Sequence, residues 1–104
     1  MRIFVKKFGD VLTSRQSGRE AYAAFSATIQ QLGEHEEILL DFEGVSVLSP
    51  SWADEFLTPL LGELGQRLAL TTIENPSVTL TIDTLEGILG KKFALRPSID
   101  LGVE

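Results

Sequence analysis

Ile38-Leu39-Leu40-Asp41-Phe42-Glu43-Gly44-Val45-Ser46-Val47-Leu48-Ser49-Pro50-Ser51-Trp52-Ala53-Asp54-Glu55-Phe56-Leu57-Thr58-Pro59-Leu60-Leu61 is the stretch on which the fold turns. From Ile38 to Phe42 it is apolar except for Asp41, the pattern of a strand covered on both faces, and it predicts a central strand. Glu43 to Pro50 reads as a loop, with Gly44 supplying an unusual backbone angle and Val45, Val47 and Leu48 tucked beneath the domain. A helix follows. Ser49 or Ser51 can cap it, Pro50 or Trp52 falls in its first turn, and Asp54 and Glu55 place negative charge near its positive end. Ala53, Phe56, Leu57, Leu60, Leu61 and Leu64 recur at three- and four-residue spacing and define its core face.

Working outward toward the N-terminus, Glu34-His35-Glu36-Glu37 is a polar bridge that reads as a solvated turn. The single histidine has carboxylates on both sides but no further convergent ligands, so no metal site is expected. Before it, Tyr22, Phe25, Ile29 and Leu32 form one apolar stripe, predicting a helix from a Thr13 or Ser14 cap to about Leu32, closed by Gly33. Arg2 to Phe8 alternates and is rich in Ile, Phe and Val, which predicts a first strand, with Lys6 and Lys7 marking an edge. On the other side, Gly65 stops the organising helix and Arg67 to Ile73 alternates as a third strand. Asn75-Pro76-Ser77 breaks and caps, and Val78, Ile82, Leu85 and Leu89 predict a last helix ended by Gly90. In the tail, Lys91 to Glu104, Phe93 and Leu95 alternate in a short edge strand before Pro97.

Strand–helix–strand units imply right-handed crossovers and parallel pairing. The expected fold is α/β: a small mixed, mostly parallel sheet of about four strands with helices packed against it, in a single domain over residues 1–104. With 43% hydrophobic residues, 104 residues can bury a real if modest core. The absence of cysteine excludes disulfides, thiol catalysis and thiolate metal sites. A net charge of -6 argues against a nucleic-acid binder, whose affinity rests on neutralising phosphates, and favours a basic partner surface. No apolar run approaches the roughly 20 residues of a membrane span, and the N-terminus lacks the order of a signal peptide, so the expected location is cytoplasmic, away from membranes.

Asp41, Glu43, Asp54 and Glu55 are the carboxylates that could converge at the carboxyl edge of the sheet, where α/β proteins place their sites. Such a group could hold a cation or split its pKa values for hydrolysis. Strand-end capping, dipole complementarity and solvation account for the same residues, and no nucleophile–base pair or glycine-rich phosphate loop accompanies them. No catalytic residue, metal ligand or cofactor is therefore assigned. Ser46, Ser49 and Ser51 are loop and cap residues by chemistry alone. Trp52 is either a partly buried core anchor or an exposed contact. Arg15, a cation disfavoured by the dipole in the first turn of a helix, is explained either by a partner carboxylate such as Asp41 or Glu43 or equally by a solvated face.

Leu-Asp-Phe-Glu-Gly-Val-Ser-Val-Leu-Ser-Pro-Ser-Trp-Ala-Asp-Glu-Phe, residues 40–56, resembles the signature of the STAS-like family, relatives of the STAS domains of anti-sigma-factor antagonists. A weaker likeness lies at Ser14-Arg15, where the first helix begins. Those antagonists carry a strand, an Asp-Ser-Ser-Gly turn whose second serine is phosphorylated by a partner kinase, and a helix. Residue by residue, Ser49 falls on the aspartate, Pro50 on the first serine, Ser51 on the phosphorylated serine and Trp52 on the glycine, so one of the four matches. The resemblance implies the same strand–helix order. It also implies a non-enzymatic module that meets a protein partner, an anti-sigma factor or histidine-kinase-type ATPase domain, through Ser49, Pro50, Ser51, Trp52, Asp54 and Glu55. Ser51, and secondarily Ser49, would be the phosphorylated position. A homodimer through an exposed strand edge, and a small carboxylate-based cation-binding or hydrolytic domain, are the alternative readings.

Overall fold

The computed structural model describes residues 1–71 and 73–97. In chain order the elements are β1 (Arg2–Phe4), a 3-10 turn (Val5–Phe8), β2 (Val11–Leu12), α1 (Arg15–Gln30), β3 (Ile38–Asp41), β4 (Val47–Leu48) and α2 (Pro50–Leu64). A second 3-10 turn (Gly65–Arg67), β5 (Leu68–Thr71), α3 (Pro76–Leu89) and β6 (Ala94–Arg96) follow. Four strands form one parallel sheet in the order β1-β3-β5-β6, while β2 and β4 make a separate two-stranded parallel ladder. The expected α/β architecture is therefore present, with Ile38–Asp41 paired on both sides as a central strand. The part of the expected tail beyond Pro97 lies outside the described residues.

Each crossover advances by one strand in the same direction. Right-handed connections then put α1, α2 and α3 on a single face of the sheet, and α1 packs on α2 and α2 on α3. Ile38, Leu40, Leu68 and Leu70 face this helical layer and are fully buried. Between the helices, Trp52, Phe56, Phe25 and Phe8 form an aromatic cluster, with Trp52 and Phe56 ring centroids 4.9 Å apart. The other face of the sheet carries Arg2, Leu39, Ala69 and Ala94 in one row across the strands. Phe4, Asp41, Thr71 and Arg96 occupy the next row, toward the carboxyl ends.

Several expectations need correction. The first strand stops at Phe4, because Gly9 (φ 131°) donates its N–H to the Lys6 carbonyl and closes a turn. The alternating apolar residues there are satisfied by packing: Val5 is buried and Phe8 lies edge-on to Phe25. Glu43 to Pro50 is not wholly loop, since Val47–Leu48 pairs with Val11–Leu12; Val45 and Leu48 are buried as expected, but Val47 is exposed. The first helix ends at Gln30 and β5 spans only Leu68–Thr71 of the longer alternating run.

Candidate functional site

The β2–β4 ladder ties together the residues that enter two helices. Asp10 O accepts from the N–H groups of Ser46 and Val47, at 2.7 and 3.1 Å, and Leu12 O accepts from Ser49 N at 2.9 Å. Ser14 Oγ caps α1 by accepting from Ser17 N. Ser49 Oγ caps α2 by accepting from Trp52 N at 3.3 Å, and its hydroxyl donates to Thr13 O at 2.8 Å. The third helix is tethered to the same place. Asn75 caps α3 and donates to the carbonyls of Val45 and Ser46, while Ser77 and Thr81 hydroxyls bond the N–H and C=O of Leu48. All three helix N-termini thus meet around Val45–Leu48, at the carboxyl edge of the sheet.

From this junction α1 and α2 run side by side with polar bonds along the seam. Gly18 permits the contact: a Cβ there would come within 2.6 Å of the Trp52 carbonyl oxygen. Trp52 is fully buried and its indole N–H donates to Ser17 Oγ. Of its two expected roles, core anchor or exposed partner contact, the structure shows the core anchor, because the ring is enclosed by Phe8 and Phe56. Arg15 Nη1 lies 2.9 Å from both Asp54 Oδ2 and Glu55 Oε2, and Arg19 approaches Glu55 at 3.6 Å. The expected pairing of Arg15 with Asp41 or Glu43 is thus replaced by carboxylates from the neighbouring helix. The Arg15 guanidinium, and then the Thr58 hydroxyl, hold the Asp54 carboxyl below its ordinary value; the bonds to Asp54 and then to Glu55 raise Arg15. Farther along, the Tyr22 phenol donates to Glu63, which raises its pKa.

Ser49 and Ser51 are placed in different circumstances. The Ser49 hydroxyl both accepts and donates a hydrogen bond within the fold. Ser51, half-buried in the first turn of α2, makes no side-chain hydrogen bond among the described residues. Pro50 beside it is exposed, and Asp54 and Glu55 lie one turn further on, half-buried.

The four carboxylates do not converge. Asp54 and Glu55 belong to the α1–α2 seam. Asp41, 2% exposed, is taken up on the opposite face of the sheet by the Arg2 guanidinium through Nε and Nη2, and its Oδ1 accepts from Glu43 N. Arg2, Asp41, Glu43, Thr71, Glu74 and Asn75 line a pocket of about 420 Å³ at the carboxyl ends of β1, β3 and β5. Sequence reasoning found Asp41 and Glu43 but missed Thr71 and Glu74, whose approach depends on β5 pairing with β3 in register. Among the described residues no group of three or more His, Asp or Glu side chains is arranged to hold a metal ion. None of the helices described is long and apolar enough to cross a membrane.

A family model described as a STAS-like domain of unknown function (DUF4325) matches residues 25–78, just over half of the chain, from the middle of α1 to the first turn of α3. No curated protein and no solved structure matches the chain.

Proposed function

Since the chain belongs to the STAS-like domain family, we propose that it is a non-enzymatic regulatory module that docks a protein partner through the junction at Ser49 and the first turn of α2. The observation that carries this reading is the contrast between its two serines. Ser49 is consumed as a cap, whereas the Ser51 hydroxyl in the same turn makes no hydrogen bond among the described residues, at the position that corresponds by resemblance to the phosphorylated serine of anti-sigma-factor antagonists. The docking face is formed by Pro50, Ser51, Asp54 and Glu55, with the outer side of the Val11–Val47 pair beside it. Its partner is an anti-sigma factor or a histidine-kinase-type ATPase domain, and phosphorylation of Ser51 releases it.

The local electrostatics agree with such control. A phosphate in the first turn of α2 is favoured by the helix dipole, and the fold tolerates it without losing a cap. Asp54 and Glu55 would repel it, but Arg15 already offsets both carboxylates. The modification would therefore change the surface a partner meets more than it would change the fold.

The test is affinity capture from the native cytosol with wild-type protein, Ser51→Ala and Ser51→Asp, read by mass spectrometry for partners and for phosphoserine. The reading predicts an ATPase-type partner on wild type and Ser51→Ala, lost from Ser51→Asp, and a phosphate on Ser51. Equal capture by all three with no phosphoserine would overturn the switch.

A further inference from the structure

The pocket on the opposite side of the sheet has features the docking module does not need. Thr71 is 2% exposed, yet its hydroxyl makes no hydrogen bond among the described residues. Its side chain lines the pocket next to Asp41, one strand over on the same face. No fully buried side-chain nitrogen or oxygen lacks a partner among the described residues, so the Thr71 oxygen keeps a little accessible surface, and the pocket is where that surface opens. Around it the charge is one-sided. Asp41, Glu43 and Glu74 contribute three carboxylates to the lining and Arg2 one guanidinium, which is already bonded to Asp41. An anion entering here would meet the two rim carboxylates with the only lining cation committed. A cation carrying N–H donors would instead find Glu43 and Glu74 at the mouth and an unused acceptor at the floor. Ile73 and Val45 offer apolar contact to an aliphatic stem.

We propose that this pocket binds an alkyl guanidinium or alkylammonium group, its head donating to Thr71 Oγ1 at the floor and its charge met by Glu43 and Glu74. The Asp41–Arg2 pair already shows that the same corner accepts guanidinium geometry. The group can arrive on a free small amine or on a basic side chain of another protein, and the chemistry at the pocket is the same.

The test is an amide NMR titration of the whole chain with agmatine, with an acetylated, amidated tripeptide centred on arginine, and with inorganic phosphate. Saturable shifts confined to residues 41–45 and 71–75 are expected with agmatine. Binding by the tripeptide at equal or better affinity assigns the site to a basic side chain; tighter binding by agmatine assigns it to a free amine. Thr71→Val, which keeps the shape of the side chain, should weaken the binding about tenfold, the effect of one hydrogen bond to a charged group. Glu43→Gln with Glu74→Gln should weaken it by a smaller factor and flatten its salt dependence. Shifts absent with both cations, unchanged affinity in Thr71→Val, or saturable binding of phosphate at these residues would each overturn the proposal.

Discussion

The α1–α2 seam and the pocket at the end of β3 and β5 are built from similar residues and end in opposite states. At the seam every charged or capping group has a partner: Ser49 with Trp52 and Thr13, Arg15 with Asp54 and Glu55, Trp52 with Ser17. In the pocket the Asp41–Arg2 pair is satisfied, yet Thr71 beside it, 2% exposed, has a hydroxyl that makes no hydrogen bond among the described residues. Polar groups along a helix–helix contact are spent on holding the helices in place, so what remains for function there is the exposed skin, chiefly Pro50 and Ser51. At a strand end, a side chain can be fixed by the sheet and still keep its hydrogen-bonding capacity. That is why the two places call for different kinds of partner, a protein surface in one case and a small cationic group in the other.

The largest break comes from the seam. Trp52→Ala removes the fully buried ring at the centre of the aromatic cluster and should cost about 3–5 kcal/mol, read as the loss of a cooperative denaturant transition or a much lower midpoint. Gly18→Ala comes next. Alanine is the better helix former by about 1 kcal/mol, but its Cβ would strike the Trp52 carbonyl, which cannot yield without moving α2. The clash wins, with a net loss of about 1–3 kcal/mol. Gly62→Ala and Gly87→Ala, helical positions where a new Cβ meets nothing within 4 Å, should instead stabilise by about 0.5–1 kcal/mol. Thermal melts of the three variants separate close approach from simple glycine entropy.

Ser49→Ala should cost about 1–2 kcal/mol, because one change removes the α2 cap and the bond to Thr13, while Ser51→Ala should stay within about 0.5 kcal/mol. Thr71→Val is the corresponding probe on the pocket side. Deleting a hydroxyl that makes no hydrogen bond among the described residues should leave stability unchanged or slightly raised, and a marked loss would place the hydroxyl in the service of the fold. The smallest effect is in the pH dependence. Asp54 is held below its ordinary value of 3.8 in the folded state, so folding favours its ionised form. The stability it adds is full above pH 3.8 and disappears as pH falls through the lower folded value. Asp54→Asn should therefore flatten the acid limb of a stability–pH curve and leave its neutral region nearly unmoved, since this pair is largely exposed.

The caps and stops of the helices were legible because each rests on a local mechanism: Ser14, Ser49 and Asn75 at the starts, Gly65 and Gly90 at the ends of α2 and α3. The run at Ile38 was legible as a strand covered on both faces; Arg67 to Ile73 read as alternating, although Leu68–Thr71 is buried throughout, between strands paired on both sides of it. The β2–β4 ladder was not, because two-residue strands have no period to read, although it is what brings the helix N-termini together. Val5–Phe8 alternates like a strand, and only the turn at Gly9 shows that its apolar residues are buried by helices instead. At the candidate site, Ser49, Ser51 and the two carboxylates of α2 could be named from sequence. That Arg15 neutralises them, that Asp41 and Glu43 lie on the other face, and that Thr71 and Glu74 join them are long-range facts set by strand order.

Docking through α2 and binding in the pocket belong to separate faces, and the most direct measurement of this is the affinity of the captured partner for Ser51→Asp and Thr71→Val side by side, by calorimetry on folded proteins. Ser51→Asp should lose the partner while Thr71→Val binds it like wild type. A partner indifferent to Ser51→Asp and lost from Thr71→Val would contradict it, moving the docking surface to the far side of the sheet.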